Sequence, residues 1–401
     1  MQRRPRWVLD MTMNLIGRRL RLALVGGGPG SFIGETHRIA ARLDGHYDIV
    51  AAALSSNPQR GMQAAAALGI APERAYPSWQ ALIEAERRRS DRVDVVAVMT
   101  PNDSHFAICM AALDAGFHVI CDKPVANSLQ EAQALVDRVR EKDAEFCVTY
   151  CYSGYPMVRQ ARDMVRSGVL GEIRQVHLQY VQGDLAPHTL PDGWRQDRQR
   201  SGGSLVLMDI GTHALHLGAY VTGLNVARLC ADLGSAVPGR TVDDYVALLM
   251  HYENGARGNL WVTNAAAGSE HGLGFRIHGD LGGIEWQQEE PNRLVHRTHG
   301  AFDQVLTRRR GAQASEGARR STRVGVGHPE GYLEAFANLY AEFAQVVAGR
   351  MAGRRQPVAQ DLFPKLEDGV AGLELVAAAV CSARTGQWEP VVHPSGAIST
   401  L

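Results

Sequence analysis

Three side chains from two distant parts of the chain have the chemistry for moving a proton: Lys123, and the pair Asp209 and His213. Lys123 stands in Ile120-Cys121-Asp122-Lys123-Pro124, directly after a short apolar run, so its ammonium should emerge at the end of a buried strand. Pro124 restricts the backbone where that lysine must point. Asp209 and His213 belong to Asp209-Ile210-Gly211-Thr212-His213-Ala214-Leu215-His216, and a spacing of four puts both on one face of a helix. An imidazole titrates near neutrality and suits the removal of a hydroxyl proton; a carboxylate one turn earlier orients it or hydrogen-bonds the substrate. An ammonium beside the reacting oxygen stabilises developing alkoxide charge. The plainer alternatives are a solvated lysine and a local Asp–His hydrogen bond. Asp209, His213 and His216 also count as potential metal ligands, but no further ligand cluster of suitable spacing accompanies them, so no metal is expected.

A cofactor site is written into the first strand and the turn after it. Leu22-Ala23-Leu24-Val25 runs into Gly26-Gly27-Gly28-Pro29-Gly30-Ser31-Phe32-Ile33-Gly34 and then a helical stretch. A glycine turn between strand and helix lets backbone approach a pyrophosphate, and the helix start adds amide donors and a favourable dipole. Gly26, Gly28, Gly30, Ser31, Phe32 and Ile33 are therefore the expected cofactor contacts. The match to the dinucleotide fingerprint is imperfect: its third glycine falls at Ser31, with glycines at 30 and 34 instead. The second strand ends Ala53-Leu54-Ser55-Ser56-Asn57, without the acid that would hold a ribose diol. Ser55 and Ser56, with Arg60 nearby, suit either that diol or a 2′-phosphate, which leaves NAD and NADP both open. Thr100, Pro101, Asn102 and His105 close the strand ending at Met99, where they either shape a turn or face the nicotinamide.

The elements that must hold these residues follow from periodicity. Short β-rich runs at 20–25, 48–54, 93–99, 118–121 and 146–149 alternate with helical stretches, the pattern of a parallel sheet covered by helices. Beyond Tyr150 one helix and a strand precede a polar loop through Gly203 and the helix of Asp209 and His213. Strand-like runs then follow one another from Arg228 to Arg297, predicting a mostly antiparallel sheet, and two late helices end the fold. Arg308 to Gly327 reads as a solvated loop. A chain of 401 residues is long for one core, so two domains are expected. Forty-two basic residues balance forty-two acidic ones, and charge names no nucleic-acid or membrane partner. Six cysteines without a C-x-x-C pair suit a reducing cytoplasm. No run has the ~18 apolar residues of a spanning helix, and the arginine-rich start is no signal peptide.

Taken in order, the glycine turn from Gly26 to Gly34, Thr100-Pro101-Asn102, Asp122-Lys123-Pro124 and Asp209-x-x-x-His213 resemble the glucose-fructose oxidoreductase and inositol dehydrogenase family (Gfo/Idh/MocA) over roughly Leu20 to Ala383. Asp122 replaces that family's Glu. Tyr152-Ser153-Gly154-Tyr155-Pro156 and His328-Pro329-Glu330-Gly331-Tyr332 are similar to segments of bacterial sugar and polyol dehydrogenases of the L-glucose and scyllo-inositol kind.

The resemblance implies an α/β fold: an N-terminal Rossmann domain at 20–149, after an extension at 1–19 expected to be disordered, and a C-terminal α+β domain at 150–401. That second domain carries an open, mostly antiparallel sheet that often serves oligomerisation, with the late helices packing back on the first. The expected activity is NAD(P)-dependent oxidation of a secondary hydroxyl of a monosaccharide or cyclitol by a cytoplasmic homodimer or homotetramer, with NAD favoured. His213 is the acid/base, Lys123 polarises the oxygen and Asp209 orients. Tyr152, Tyr155 and His328 are substrate contacts by resemblance. Trp194, Arg195 and Arg198, in the polar loop from His188 to Gly203, are further candidates because aromatic and guanidinium groups suit sugar faces and hydroxyls. Two alternatives belong to the same residues: an NAD-assisted glycoside hydrolase, and a regulator that binds dinucleotide without chemistry.

Overall fold

A computed structural model describes residues 11–187, 203–308, 314–354 and 363–392. The chain divides into two compact units. The first comprises Met1–Ala126, Gln130–Gly154 and Tyr332–Gly369; the second comprises Asn127–Leu129, Tyr155–Gly331 and Val370–Leu401.

In the first unit, β1 (Leu20–Gly26), β2 (Tyr47–Ala53), β3 (Val95–Met99), β4 (His118–Cys121) and β5 (Phe146–Val148) form a parallel sheet of order β2-β1-β3-β4-β5. All five residues of β3 are buried, as expected of a strand covered on both faces, and its unbroken apolar run carries no alternation. Chain order reverses between β1 and β3, so a crevice opens at their carboxyl ends, the place where such sheets bind ligands. Register puts Gly26 beside Met99, so the glycine turn and the Thr100 turn leave from the same edge.

Helices start where short polar residues can cap them. The side chains of Ser31, Asn57 and Ser78 accept amide hydrogens at the starts of Phe32–Leu43, Pro58–Ala67 and Trp79–Glu86. The expected disorder before β1 is corrected in part, because Met11–Ile16 is a helix. Thr12 in it is fully buried, and its hydroxyl lies 3.3 Å from His46 Nδ1. This short helix packs on the late helix Tyr332–Met351, whose apolar side also lies against Phe32–Leu43.

The second unit is built on one nine-stranded sheet. Its strands are β6 (Ile173–Val181), β7 (Val226–Gly234), β8 (Tyr245–Tyr252), β9 (Arg257–Thr263), β10 (Gly272–Gly279), β11 (Gly282–Gln287), β12 (Arg293–Thr298), β13 (Gln304–Thr307) and β14 (Glu389–Pro390). The order is β13-β12-β11-β10-β6-β9-β8-β7-β14, antiparallel except for the β6–β9 pair. Burial alternates along β8, so one face is apolar and covered while the other is open. Leu249 and Trp261 stand on the open face, 58% and 44% exposed. Helices Pro156–Arg166 and Thr212–Thr222 cover the other, the latter so close that a methyl group at Gly218 would lie 2.7 Å from Leu178. Arg308 to Gly327 is not the wholly solvated loop its composition predicts: Glu316–Arg320 is helical, and Arg308 is buried against the Glu330 carboxylate at 2.7 Å.

Candidate active site

In the first unit the glycine turn is a tight hairpin of backbone. Gly26 and Gly27 adopt φ of +84° and +66°, a region side chains rarely enter. A methyl group at Gly34 would lie 2.3 Å from the Gly27 carbonyl oxygen, so the third close-approach glycine of the fingerprint is Gly34. Ser31 instead caps the helix, its Oγ accepting the amide of Gly34 at 3.1 Å. The first-turn amides of Phe32 and Ile33 precede any intrahelical acceptor and point from the helix start, the arrangement that receives a pyrophosphate. Arg38 Nη1 donates to the Gly27 carbonyl at 2.6 Å and holds the turn from behind.

At the end of β2, Ser55 Oγ accepts the Asn57 amide at 3.1 Å and Asn57 caps the next helix through the Arg60 amide at 3.0 Å. The Arg60 guanidinium crosses to the Pro29 carbonyl at 3.2 Å, so Ser55, exposed Ser56 and Arg60 line one rim of the glycine turn. The donors, the dipole and the missing Cβ atoms fit a dinucleotide.

His105 is placed differently from the expectation. Its Nδ1 lies 2.7 Å from the Pro124 carbonyl oxygen and its Nε2 2.8 Å from that of Thr100, with the ring buried. Both nitrogens face backbone carbonyls, so the buried His105 ring ties the turn after β3 to the residue following Lys123 and does not face a nicotinamide. Ser104 Oγ donates to Thr100 Oγ1 at 2.7 Å and completes this turn around Pro101 and the buried Asn102.

Lys123 is partly exposed at the end of β4, and its peptide bond to Pro124 is cis. Asp122 Oδ1 accepts the Lys123 amide at 2.9 Å and the Thr149 hydroxyl at 2.8 Å, which pins the backbone from which the lysine rises. Burial pushes the neighbouring Cys151 thiol up to about 12, although its hydrogen bond with Tyr332 and the charge of Lys123 oppose that. Cys151 is therefore no nucleophile at neutral pH. The Tyr332 ring stacks on Phe32 at 6.0 Å and meets Tyr152 at 6.1 Å.

In the second unit, Asp209 lies on a π-helical turn, Leu207–Gly211, that runs into the α-helix Thr212–Thr222 carrying His213 and His216. A π turn is wider than an α turn and such insertions mark functional sites. His213 is buried, with the Tyr180 ring centroid 6.3 Å away. His216 is removed from acid/base work: burial, then the Arg162 charge, press it down to about 3, and it stacks on Tyr220 at 5.9 Å. Arg162 sits 4.1 Å above the same Tyr220 ring. His328 is exposed, on a loop whose backbone is held by Arg308. Tyr155, expected as a substrate contact, is 1% exposed and its ring packs on Trp286 at 5.4 Å, and Tyr152 is 4% exposed. Trp194, Arg195 and Arg198 lie outside the described residues. No group of three His, Cys, Asp or Glu side chains suited to a metal exists among the described residues.

With this geometry in view, comparison with known proteins decides the family. Residues 20–150 match the oxidoreductase family with an NAD-binding Rossmann fold, and residues 158–285 match the GFO/IDH/MocA C-terminal domain. An uncharacterised oxidoreductase of Bacillus subtilis, YfiI, is 34% identical over 380 residues, 93% of this chain and 96% of that one. The chain belongs to the Gfo/Idh/MocA family. It is thus an oxidoreductase with an NAD-binding N-terminal domain.

Levoglucosan dehydrogenase of Pseudarthrobacter phenanthrenivorans is 29% identical over 307 residues, covering 69% of this chain and 76% of that one. Among solved structures, an inositol dehydrogenase homologue from Azotobacter vinelandii, complexed with NADH and myo-inositol, superposes with a TM-score of 0.89 at 39% identity. That match covers 94% of this chain and 98% of the other. A levoglucosan dehydrogenase complex with NADH and levoglucosan gives 0.81 at 26%, over 93% and 100% of the two chains. Gly34, Thr149 and Tyr180 were not among the residues singled out from sequence. Of these only Gly34 left a trace, as a glycine displaced from its expected place.

Proposed function

We propose that the protein is an NAD-dependent dehydrogenase that oxidises a secondary hydroxyl of a cyclitol or monosaccharide. The observation that carries this is the 39% identity, over nearly the whole chain, to the Azotobacter homologue whose complex holds NADH and myo-inositol. NAD+, which the glycine turn and the first-turn amides of Phe32 and Ile33 would hold, would supply the acceptor for the hydride that leaves the carbon. The hydroxyl proton passes to Nε2 of His213, whose neighbour Asp209 orients the ring. Lys123 donates a hydrogen bond to the oxygen as it becomes a carbonyl, and Asp122 and His105 steady the backbone on either side of it. Besides Lys123, the described residues assigned to substrate are Tyr152, Asp209, His213 and His328. Ser55 and Arg60 leave NADP as a second coenzyme to test.

The protein is further proposed to work in a reducing cytoplasm, which suits its six free cysteines, four of them buried. No helix among the described residues is long and apolar enough to cross a membrane. The exposed Leu249 and Trp261 on the open sheet face support a homodimer or homotetramer.

The test is a panel of inositols and monosaccharides with NAD+ and with NADP+, followed by nicotinamide fluorescence. Stoichiometric NADH formation with at least one cyclitol or sugar is expected. Product release without net NADH would replace dehydrogenation by redox-assisted elimination, and coenzyme binding without turnover of any member would refute the proposal.

A further inference from the structure

The helix carrying Asp209 and His213 takes its N-terminal carboxylate from a distant part of the chain. Asp243, in the turn between β7 and β8, lies 39 residues beyond Ser204. Its Oδ2 accepts the Ser204 hydroxyl at 2.6 Å and the Val206 amide at 3.0 Å, and its Oδ1 accepts the Leu205 amide at 2.9 Å. Ser204 Oγ in turn accepts the Leu207 amide at 3.3 Å. All of these groups are buried. Three first-turn amides and a hydroxyl, which a helix start leaves without intrahelical partners, thus converge on one buried anion, directly or through Ser204, and the helix dipole favours it there.

The anchor itself is rigid. The next residue, Asp244, accepts the Ala236 amide at 2.7 Å, the Ser235 hydroxyl at 2.9 Å and Arg240 Nη1 at 2.8 Å. Its backbone joins β7 through Gly234 at 3.0 Å and accepts the Thr263 hydroxyl of β9 at 2.7 Å. Arg240 Nη2 also donates to the carbonyls of Leu185 at 2.5 Å and Pro187 at 3.0 Å. Two adjacent carboxylates therefore fasten both the start of the catalytic helix and residues 185–187 to the central sheet. Between anchor and catalytic residues lies only the π turn Leu207–Gly211, which holds Asp209. A π turn has a weaker local preference than an α turn, so its register depends on what holds its ends.

We propose that Asp243 is a positioning residue for the reaction: through the Ser204–Leu207 end of the helix it sets where Asp209 and His213 stand. This rests on the dehydrogenase reading above. Asp243→Asn keeps the shape but turns one of the two accepting ends into a donor that faces other donors. A displacement of about 1 Å costs a reaction on the order of a hundredfold, so kcat should fall about 10- to 100-fold while the Kd for NADH stays within about twofold. The acidic limb of the kcat profile should move, because the carboxylate that orients the base has moved with it. Ser204→Asp on that background returns a carboxylate to the helix start and should recover most of the loss.

An Asp243→Asn protein with unchanged kcat and pH profile overturns the proposal, and so does one whose Tm drops while both stay put. Should that variant fail to fold, Ser204→Ala removes two bonds, to Asp243 and from the Leu207 amide, and no charge; about a threefold or larger fall in kcat supports the anchor, and an unchanged kcat overturns it. If the wild type oxidises no member of the panel, the dehydrogenase reading fails on its own. Amide hydrogen exchange then tests the anchor independently: faster exchange confined to residues 205–213 in either variant supports it, and unaltered exchange overturns it.

Discussion

Gly34→Ala is a sharp test of the cofactor cradle. The added methyl would lie 2.3 Å from the Gly27 carbonyl oxygen and 2.5 Å from Gly27 Cα, and both are backbone. No side chain can rotate away, and Gly27 is already fixed in the left-handed region by the turn at the end of β1. To reach even 3.0 Å the helix start and the turn must separate by about 0.7 Å. Overpacking of this kind costs about 1–3 kcal/mol. The moving part carries the Phe32 and Ile33 amides, so the cost falls on coenzyme binding as well as on folding. At about 1.4 kcal/mol per tenfold, the Kd for NADH should rise about 5- to 150-fold. Titration by nicotinamide fluorescence measures this, with thermal unfolding alongside. Gly30→Ala is the control: φ is +80° but no atom lies within 4 Å of the added methyl, so it brings strain without a clash. Gly34→Ala protein that binds NADH as tightly as the wild type, with the same Tm, would refute the close-packing role.

Lys123→Ala should retain NADH binding while kcat falls about 10²- to 10⁴-fold; equal loss of binding, by the same titration, would make the lysine architectural. His213→Ala should depress turnover most near neutral pH, and an acidic limb that survives the substitution would remove His213 as the base. Acid should destabilise the fold in a defined window. Burial presses His37 and His118 down to about 4 and His216 to about 3, against an ordinary value of 6.5. Between those values the folded rings stay neutral while the unfolded ones take up protons, so stability present above pH 6.5 is lost as pH falls. At ~1.4 kcal/mol per unit and group, the three together withdraw ~6 kcal/mol by pH 5. A Tm that is flat from pH 7.5 to 5 would contradict the burial of these rings.

Where the sequence was legible, local physics decided the matter. The central strand β3 announces itself because a strand buried on both faces carries no polar residues, and β1, β2 and β4 admit them only where burial is incomplete, at Arg21, Asp48 and His118; Ser31, Asn57 and Ser78 mark helix starts because only short polar side chains reach back to the free amides. The misses are of a different kind. Gly34 takes the close-packing role because of where the turn brings Gly27, which spacing along the chain does not encode. Strand β13 is only Gln304–Thr307, at a sheet edge where no residue is buried, so it shows no alternation to read. Tyr155 matched a motif of relatives, yet its ring belongs to the Trp286 cluster. Asp243 sits in a turn of ordinary composition and gains its meaning from Ser204, 39 residues away.

The same logic separates the histidines, which sequence alone ranks alike. An acid/base residue needs a ring whose charge can change near neutrality and whose nitrogens are not consumed by the scaffold. His37 fails on the first count: burial holds the ring neutral down to about 4, with Nδ1 2.6 Å from the Tyr340 hydroxyl. His105 is fully engaged by the carbonyls of Thr100 and Pro124. His118 accepts the Glu145 amide and is likewise depressed to about 4. His216, one turn from His213 on the same helix, is held neutral beneath Arg162 and Tyr220. His213 follows directly on a π turn that carries a carboxylate, at a helix start whose position is set by a buried anion. Surroundings therefore separate these rings: His37, His118 and His216 are kept neutral by burial and His105 faces backbone carbonyls, while the proposed function assigns proton transfer to His213, which has a partly exposed carboxylate a turn before it.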